Sequence, residues 1–239
     1  TKRTRNFHSS FFILHSSFKT FFILKSMLHQ TALFPPVSWF RQLAQCQAEA
    51  YIDTRENFRK QTIRNRYTIA TATGPQTLSV PVEGSKHANI CDIRISDHNN
   101  WRRLHWQALA TAYGSSPFFE YYADDIEPFF HKRTPQENAE SRYNWDFLLQ
   151  YNMEIIETLC DLIGIKAPQL LPHDDALTVP LVTAGVQSAP GEIRIDGQSE
   201  PELKPYYQVF QSRQGFLPDM SILDLLFNMG PESILVLKD

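Results

Sequence analysis

The chain has 239 residues, of which 42% are apolar and 13% aromatic, so it can bury a substantial core and does not have the composition of a disordered protein. Its formal net charge of −3 argues against a general polyanion-binding protein, because such proteins carry a broad excess of Lys and Arg. No apolar stretch approaches the roughly 20 residues that a membrane-spanning helix needs, so the sequence predicts no transmembrane segment.

Residues 1–26 differ in composition from the rest of the chain. They contain a near-repeat, HSSFFIL followed by HSSFKTFFIL, and five basic residues with no acidic one. Without them the chain carries 18 Lys and Arg against 26 Asp and Glu. Their apolar runs are too short for a signal peptide, although the mixture of Phe and Lys leaves an interfacial anchor open. We expect a poorly packed extension, with a single domain over residues 27–239.

From Met27 the sequence predicts an α/β fold, in which helices flank a mixed sheet. Helical spacing of apolar residues after a Pro-Pro break predicts a helix beginning near Val37, and residues 48–53 predict a strand that ends at Asp53. Alternating β-branched residues over 66–82, with Gly74 and Pro75 as turn residues, predict a hairpin. Residues 91–96 predict a further strand.

Helices follow in the middle of the chain. Asn100 and Gly114 are the expected ends of one helix, and Ser116 before Pro117 is the expected start of the next. A long amphipathic helix, with apolar residues at 148, 151, 155, 159 and 162, is predicted to end at Gly164.

The last third of the chain is predicted to begin with a loop-rich crossover. Residues 165–205 contain brief strand-like pieces at 177–182 and 192–196. A helix capped by Asp219 or Ser221 and a final strand at 234–237 complete the prediction.

Several short motifs occur in one order along the chain: FPPVSWF, KQTIRNR, LSVPV, LIGI and LPDMSILDLLFN. In this order they resemble the WbqC-like protein family over about residues 28–230. The resemblance implies a bacterial protein associated with O-antigen and other surface polysaccharide clusters, for which transfer of glycine or a related acyl group to a sugar has been suggested. Unlike longer members, this chain is short at 165–205 and lacks a Gly-Gly and Tyr segment. The sequence therefore does not decide whether it shares a donor-binding site with them.

Positive charge is concentrated at residues 59–66, where Lys60, Asn65 and Arg66 match the family pattern. Arg binds carboxylate or phosphate through a planar fork and Lys adds a mobile charge. The cluster therefore predicts an anionic small-molecule partner: a nucleotide-sugar, a phosphosugar or an activated acyl donor. On a strand, Arg64 and Arg66 would share one face and could clamp one anion. The alternative is a solvated basic edge that protects the sheet.

Two residues are candidates for proton transfer. Asp53 ends a predicted strand, where a carboxylate can face a ligand crevice, although it could equally pair with a nearby arginine. His105 lies four residues after Trp101 on one helical face and could act as a general base, or could be a packing residue. Asn57 and Tyr113 are further candidates for substrate binding, and Glu56 is a weaker one.

Other features restrict the chemistry. The odd number and wide spacing of Cys46, Cys91 and Cys160 indicate buried free thiols and favour the cytoplasm. Asp224, on an otherwise apolar helix, is expected to pair with an arginine. The fingerprints GxGxxG, GxxxxGK[ST], GxSxG and HExxH are missing, so we expect no metal and no cofactor.

These observations and the resemblance together predict an aminoacyl or acyl transferase of surface-glycan assembly. The alternative is a non-catalytic module that binds a nucleotide-sugar or a protein. Nucleic acid is a weaker prediction, because the basic run is short and has few interleaved aromatic residues. The oligomeric state stays open.

Overall fold

The computed structural model describes residues 27–46, 49–84, 87–171 and 203–239, and the backbone of residues 182–183. The predicted extension at 1–26 lies outside these residues, as do the strand-like piece at 192–196 and most of the one at 177–182.

The described residues form short strands and longer helices. The strands are β1 (Met27–His29), β2 (Ala50–Ile52), β3 (Arg66–Thr71), β4 (Gly74–Ser79), β5 (Val82–Glu83), β6 (Arg94–Ile95), β7 (Gln169–Leu170) and β8 (Val182–Thr183). The α-helices are α1 (Val37–Gln45), α2 (Trp101–Tyr113), α3 (Phe119–Ile126), α4 (Pro135–Glu140), α5 (Leu148–Ile163), α6 (Gln211–Gln214), α7 (Ile222–Met229) and α8 (Ser233–Lys238). Single 3₁₀ turns lie at Ile90–Asp92, His98–Asn100, Glu127–Phe130 and Gly230–Glu232.

Four strands form a parallel sheet in the order β7-β2-β1-β8. Helix α1 makes the crossover from β1 to β2 that parallel pairing requires. Its first turn is capped from a distant part of the chain, because Oδ1 of Asp219 accepts a hydrogen bond from the backbone N–H of Ser38 at 2.8 Å. The predicted α/β fold, a single domain with both parallel and antiparallel pairing, is confirmed.

Strands β3 and β4 form the predicted antiparallel hairpin. Thr71 pairs with Gly74, so the turn consists of Ala72 and Thr73. Gly74 and Pro75, expected in the turn, lie in β4 instead. Gly74 has a φ of 120°, which a residue with a side chain rarely adopts, so glycine suits the position where β4 leaves the turn.

Helix α5 runs through the core and ends as predicted. Leu148, Tyr151, Ile155 and Leu159 are buried along it, and Gly164 terminates it with a left-handed φ of 79°. Asn152 is fully buried on the same helix, and its Nδ2 donates to the carbonyl oxygen of Arg64 at 2.9 Å. The core helix therefore holds the segment that carries the basic cluster of residues 59–66.

Two predicted elements differ in the structure. Residues 234–237 are helical instead of extended. The helix places Ser233 and Leu237, four residues apart, on one face, where both are buried. The helix expected to begin at Pro117 begins at Phe119, while the Ser116 hydroxyl donates to Oδ1 of Asn228 at 3.2 Å.

The three cysteines are free, but only Cys160 is fully buried. Cys91 is exposed, contrary to the expectation of buried thiols, because it lies in the 3₁₀ turn Ile90–Asp92 with only Ile90 facing the core.

Within the described residues, no helix is long and apolar enough to cross a membrane.

Candidate functional site

A cleft of about 780 Å³ opens beside the hairpin, and we call it the basic cleft. It is lined by residues of three segments: the loop from Lys60 to Arg66, residues 76–82 of β4 and its continuation, and residues 98–105 at the start of α2. Its volume is in the range of small-molecule sites. None of the side chains described in its lining is acidic.

Lys60 and Arg66 supply the positive charge of the basic cleft. Lys60 is exposed, and Arg66 is half-buried at the first position of β3. Neither forms an ion pair within the described residues, and the buried Nε of Arg66 has no hydrogen-bond partner there. Asn65 is buried between them, and its Nδ2 donates to the carbonyl oxygen of Val80 at 3.0 Å. Three of the predicted binding residues therefore lie in one concave site.

Arg64 is directed away from this group by Glu56. The Arg64 Nε donates to Oε2 of Glu56 at 3.0 Å, and Nη2 contacts the same oxygen, with both side chains about 10% exposed. Burial raises the pKa of Glu56, while the Arg64 charge acts in the opposite direction. Because β3 begins only at Arg66, strand alternation does not apply to Arg64. The premise of a clamp formed by Arg64 and Arg66 is therefore not met.

His105 lines the basic cleft but is 5% exposed. Its Nδ1 lies 3.2 Å from the hydroxyl of Tyr67, and a further hydrogen bond joins it to the backbone of Ser79. Burial lowers the pKa of His105 to about 4. A general base works best with a pKa near the working pH, so these contacts suit a packing residue better than a base.

The other predicted site residues lie outside the lining of the basic cleft. Asp53 follows β2 and forms an ion pair with Arg55, with 3.3 Å between Oδ1 and Nε. Asn57 is exposed and forms a backbone bridge with Asn89. Tyr113 is 1% exposed, and its hydroxyl accepts a hydrogen bond from the backbone N–H of Ala70 at 2.9 Å.

The sequence predicted an arginine partner for Asp224, but among the described residues none pairs with it. Its Oδ2 accepts hydrogen bonds from the Tyr206 hydroxyl at 2.6 Å and the Gln208 amide at 2.7 Å, and Tyr113 also contacts it. Neutral donors thus satisfy the buried carboxylate, and burial raises its pKa. The group holds the segment 206–217 against α7.

The opposite wall carries a chain of hydrogen-bonded polar side chains that the sequence did not predict. The Ser96 hydroxyl donates to Oε1 of Glu83 at 2.9 Å and lies 2.9 Å from Nδ1 of His98, which lines the basic cleft. The antiparallel pairing of β5 with β6 brings these residues together. A polar run at 96–100 before a helix was the only signal for them in the sequence.

The backbone around the basic cleft adopts uncommon conformations on both sides. Gln61 has a φ of 64° and Asn99 a φ of 66°, in the left-handed region that costs energy for most side chains. Asn100 precedes α2 without a side-chain capping bond, so the positive end of the helix dipole lies beside the lining.

Among the described residues, no cluster of His, Cys, Asp or Glu could hold a metal ion.

Comparison with known proteins identifies relatives. A family model described as the WbqC-like protein family matches residues 30–176, which include the whole described lining of the basic cleft. The uncharacterized protein Rv1507c of Mycobacterium tuberculosis (strain ATCC 25618 / H37Rv) is 28% identical over 202 residues, covering 74% of this chain and 81% of the relative. No solved structure matches the chain.

Proposed function

This chain belongs to the WbqC-like protein family, and we propose that it is a transferase of bacterial surface-polysaccharide assembly whose basic cleft binds an anionic sugar substrate. The observation that carries the proposal is the pair of cations, Lys60 and Arg66, in a cleft whose described lining has no acidic side chain. Other arginines, such as Arg64 and Arg133, are paired with carboxylates. Two neighbouring cations that have no ion-pair partner among the described residues, in a chain with a net charge of −3, indicate a ligand that supplies the anion.

The cations suit a phosphate group. The Arg66 guanidinium can donate two parallel hydrogen bonds to phosphate oxygens, and Lys60 adds a flexible point charge. The N-terminal end of α2, where Trp101 lines the cleft, adds the positive potential of the helix dipole to the site.

The accessible wall of the cleft suits a sugar. Gln76, Thr77 and Ser79 are exposed along β4, whereas Leu78 and Val80 turn inward. The exposed amide and hydroxyl groups can exchange hydrogen bonds with sugar hydroxyls. Leu104, 49% exposed, is the one apolar side chain in the described lining that is largely exposed, and it can pack against a face of the sugar ring. The phosphosugar or nucleotide-sugar is therefore the ligand we assign to it.

The proposed reaction transfers an acyl group, such as glycyl, to this sugar. An amine nitrogen or hydroxyl oxygen of the sugar forms a bond to the acyl carbon, and the bond from that carbon to the leaving group breaks. The leaving group departs with the electron pair, and the nucleophile gives its proton to a base. The protein contributes positioning and charge stabilisation.

We place this activity in the bacterial cytoplasm. Reducing conditions there keep thiols free, which fits the three free cysteines.

Calorimetric titration of the full chain with glucosamine 1-phosphate tests the binding step. We expect Arg66→Gln to weaken binding by about tenfold or more, because it removes charge-assisted hydrogen bonds. Arg142→Gln, at an exposed arginine outside the described lining, is the matched control and should bind as the native protein does. Equal affinity of native protein and Arg66→Gln would contradict the proposed site.

Mass spectrometry tests the transfer step. Glycine p-nitrophenyl ester is the activated donor and glucosamine 1-phosphate the acceptor, and the expected product is the glycylated aminosugar phosphate. Binding of the sugar phosphate without any product from a panel of activated donors would support the non-catalytic binding module instead. Absence of both binding and product would overturn the proposal.

A further inference from the structure

Three side chains form a hydrogen-bonded chain that ends in the basic cleft. The Ser96 hydroxyl donates to Glu83 at 2.9 Å and lies 2.9 Å from Nδ1 of His98. A carboxylate only accepts hydrogen bonds, so the single hydroxyl proton of Ser96 is used by Glu83. The Ser96 oxygen must then accept from His98. Neutral His98 therefore carries its proton on Nδ1 and has a lone pair on Nε2.

The serine at the centre of this chain is held firmly. Ser96 is 6% exposed; its backbone N–H donates to the carbonyl oxygen of Pro81, and its carbonyl oxygen accepts from Nε1 of Trp101, both at 2.9 Å. The left-handed backbone of Asn99 then turns the chain into α2 directly after His98. A fixed serine therefore orients an imidazole that itself remains exposed.

The two histidines in the lining differ in what they can do. His105 is buried and engaged by Tyr67 and the backbone of Ser79. His98 is exposed and uses one nitrogen for orientation, and its other nitrogen has no hydrogen-bond partner within the described part of the chain. This division, in which one nitrogen is fixed by a hydrogen bond while the other faces the reactants, is how histidine bases are arranged in hydrolases and acyl transferases.

We propose that Nε2 of His98 is the general base of the transfer reaction, with Ser96 and Glu83 as positioning residues. This inference rests on the proposed function. Nε2 takes the proton from the sugar amine or hydroxyl as its nitrogen or oxygen bonds to the acyl carbon. The imidazolium that forms is stabilised through Ser96 by the Glu83 carboxylate. It then returns the proton to the departing leaving group, which restores the neutral base.

The first experiment removes the base but keeps its hydrogen bond. In His98→Asn the carboxamide can still donate to Ser96, so the rate of glycyl transfer to glucosamine 1-phosphate should fall by about a hundredfold or more while binding of the sugar phosphate is unchanged. His131→Asn is the matched control, because His131 is exposed, contacts Glu127 and lies outside the described lining of the basic cleft. Added imidazole should restore part of the rate to His98→Ala, which a merely structural role would not allow.

The second experiment measures the tautomer directly. Long-range ¹⁵N–¹H spectra of the full chain should show His98 protonated on Nδ1, and Ser96→Ala should shift the population toward the Nε2 tautomer. Protonation of native His98 mainly on Nε2 overturns the inference. Native protein that transfers glycine while His98→Asn transfers it equally well also overturns the inference but leaves the proposed function standing. Native protein that transfers nothing overturns both.

Discussion

Glu56 and Arg64 form a buried ion pair at the base of the loop that carries Lys60 and Arg66. The carboxylate also accepts a hydrogen bond from the backbone N–H of Thr31 at 3.0 Å, so it connects the loop to the segment that follows β1. One arginine of the basic cluster is thus used for architecture, which leaves Arg66 and Lys60 to face the basic cleft.

Glu56→Gln is expected to reduce the free energy of unfolding by about 3–5 kcal/mol, because it leaves the Arg64 charge buried without a counterion. Urea unfolding followed by circular dichroism measures the change. Glu49→Gln is the matched control, since the pair of Glu49 with Lys166 is exposed and should contribute less than about 1 kcal/mol. Equal losses for the two variants would contradict a special role for the buried pair.

Tyr113→Phe distinguishes a structural tyrosine from a substrate-binding one. The Tyr113 hydroxyl accepts from the backbone of Ala70 and contacts Asp224, so its loss should cost about 1–3 kcal/mol of stability. The affinity for glucosamine 1-phosphate should not change, because Tyr113 lies outside the described lining of the basic cleft. Tyr121→Phe, at a side chain that is 72% exposed, should change neither quantity. Weaker sugar-phosphate binding by Tyr113→Phe at unchanged stability would reverse this assignment.

Local patterns predicted much of the fold. The apolar stripe of α5 and its terminal Gly164 follow directly from helical periodicity and the left-handed conformation that glycine adopts. The apolar residues 234–237 could not be assigned in the same way, because a short apolar run suits a strand or a buried helix equally. Packing decided it, with Leu237 buried and Leu235 65% exposed on opposite faces of α8.

The site was predictable only where its residues are close in sequence. Lys60, Asn65 and Arg66 were grouped by charge and by family pattern, and the structure places them in one cleft with His105. The ion pair of Arg64 depends on the burial of Glu56, which no local pattern indicates. Glu83 and His98 come together through Ser96 because β5 and β6 pair across the intervening residues, and such non-local pairing cannot be read from composition.

Asp224→Leu is expected to lower the free energy of unfolding by more than about 3 kcal/mol, because it leaves the donors of Tyr206 and Gln208 buried without an acceptor. Asp161→Leu, at an exposed aspartate on α5, is the matched control and should change stability by about 0.5 kcal/mol or less. Chemical denaturation at pH 7 measures both.

Asp224→Asn tests the ionisation of the same carboxyl. Burial raises the pKa of Asp224 in the folded protein, so the folded state holds the proton more tightly than the unfolded state. The contribution of this group to stability is therefore largest below the unfolded pKa and decreases as the pH rises through the folded one. The Asn variant cannot ionise and should lack that decrease, so native protein and variant with identical pH dependence would contradict the raised pKa.

His29 and His105 should make the protein sensitive to mild acid. Burial lowers the pKa of each to about 4, so the folded state keeps them neutral while the unfolded state binds protons below its ordinary value of 6.5. Stability is then fully present above pH 6.5 and falls as the pH drops toward 4, by about 1.4 kcal/mol per pH unit for each histidine.

His29→Leu separates the two contributions. Both ring nitrogens of His29 are without a hydrogen-bond partner among the described residues, and the ring packs on Trp39 with centroids 4.8 Å apart. Replacement by an apolar side chain therefore removes no hydrogen bond, and it should leave stability at pH 7 unchanged or slightly higher while it removes about half of the acid slope. Urea unfolding between pH 4 and pH 8 measures the slope, with His131→Leu as the exposed control. An unchanged slope in His29→Leu would mean that the neutral, buried state of His29 does not limit acid stability, and that His105 and the carboxylates account for it.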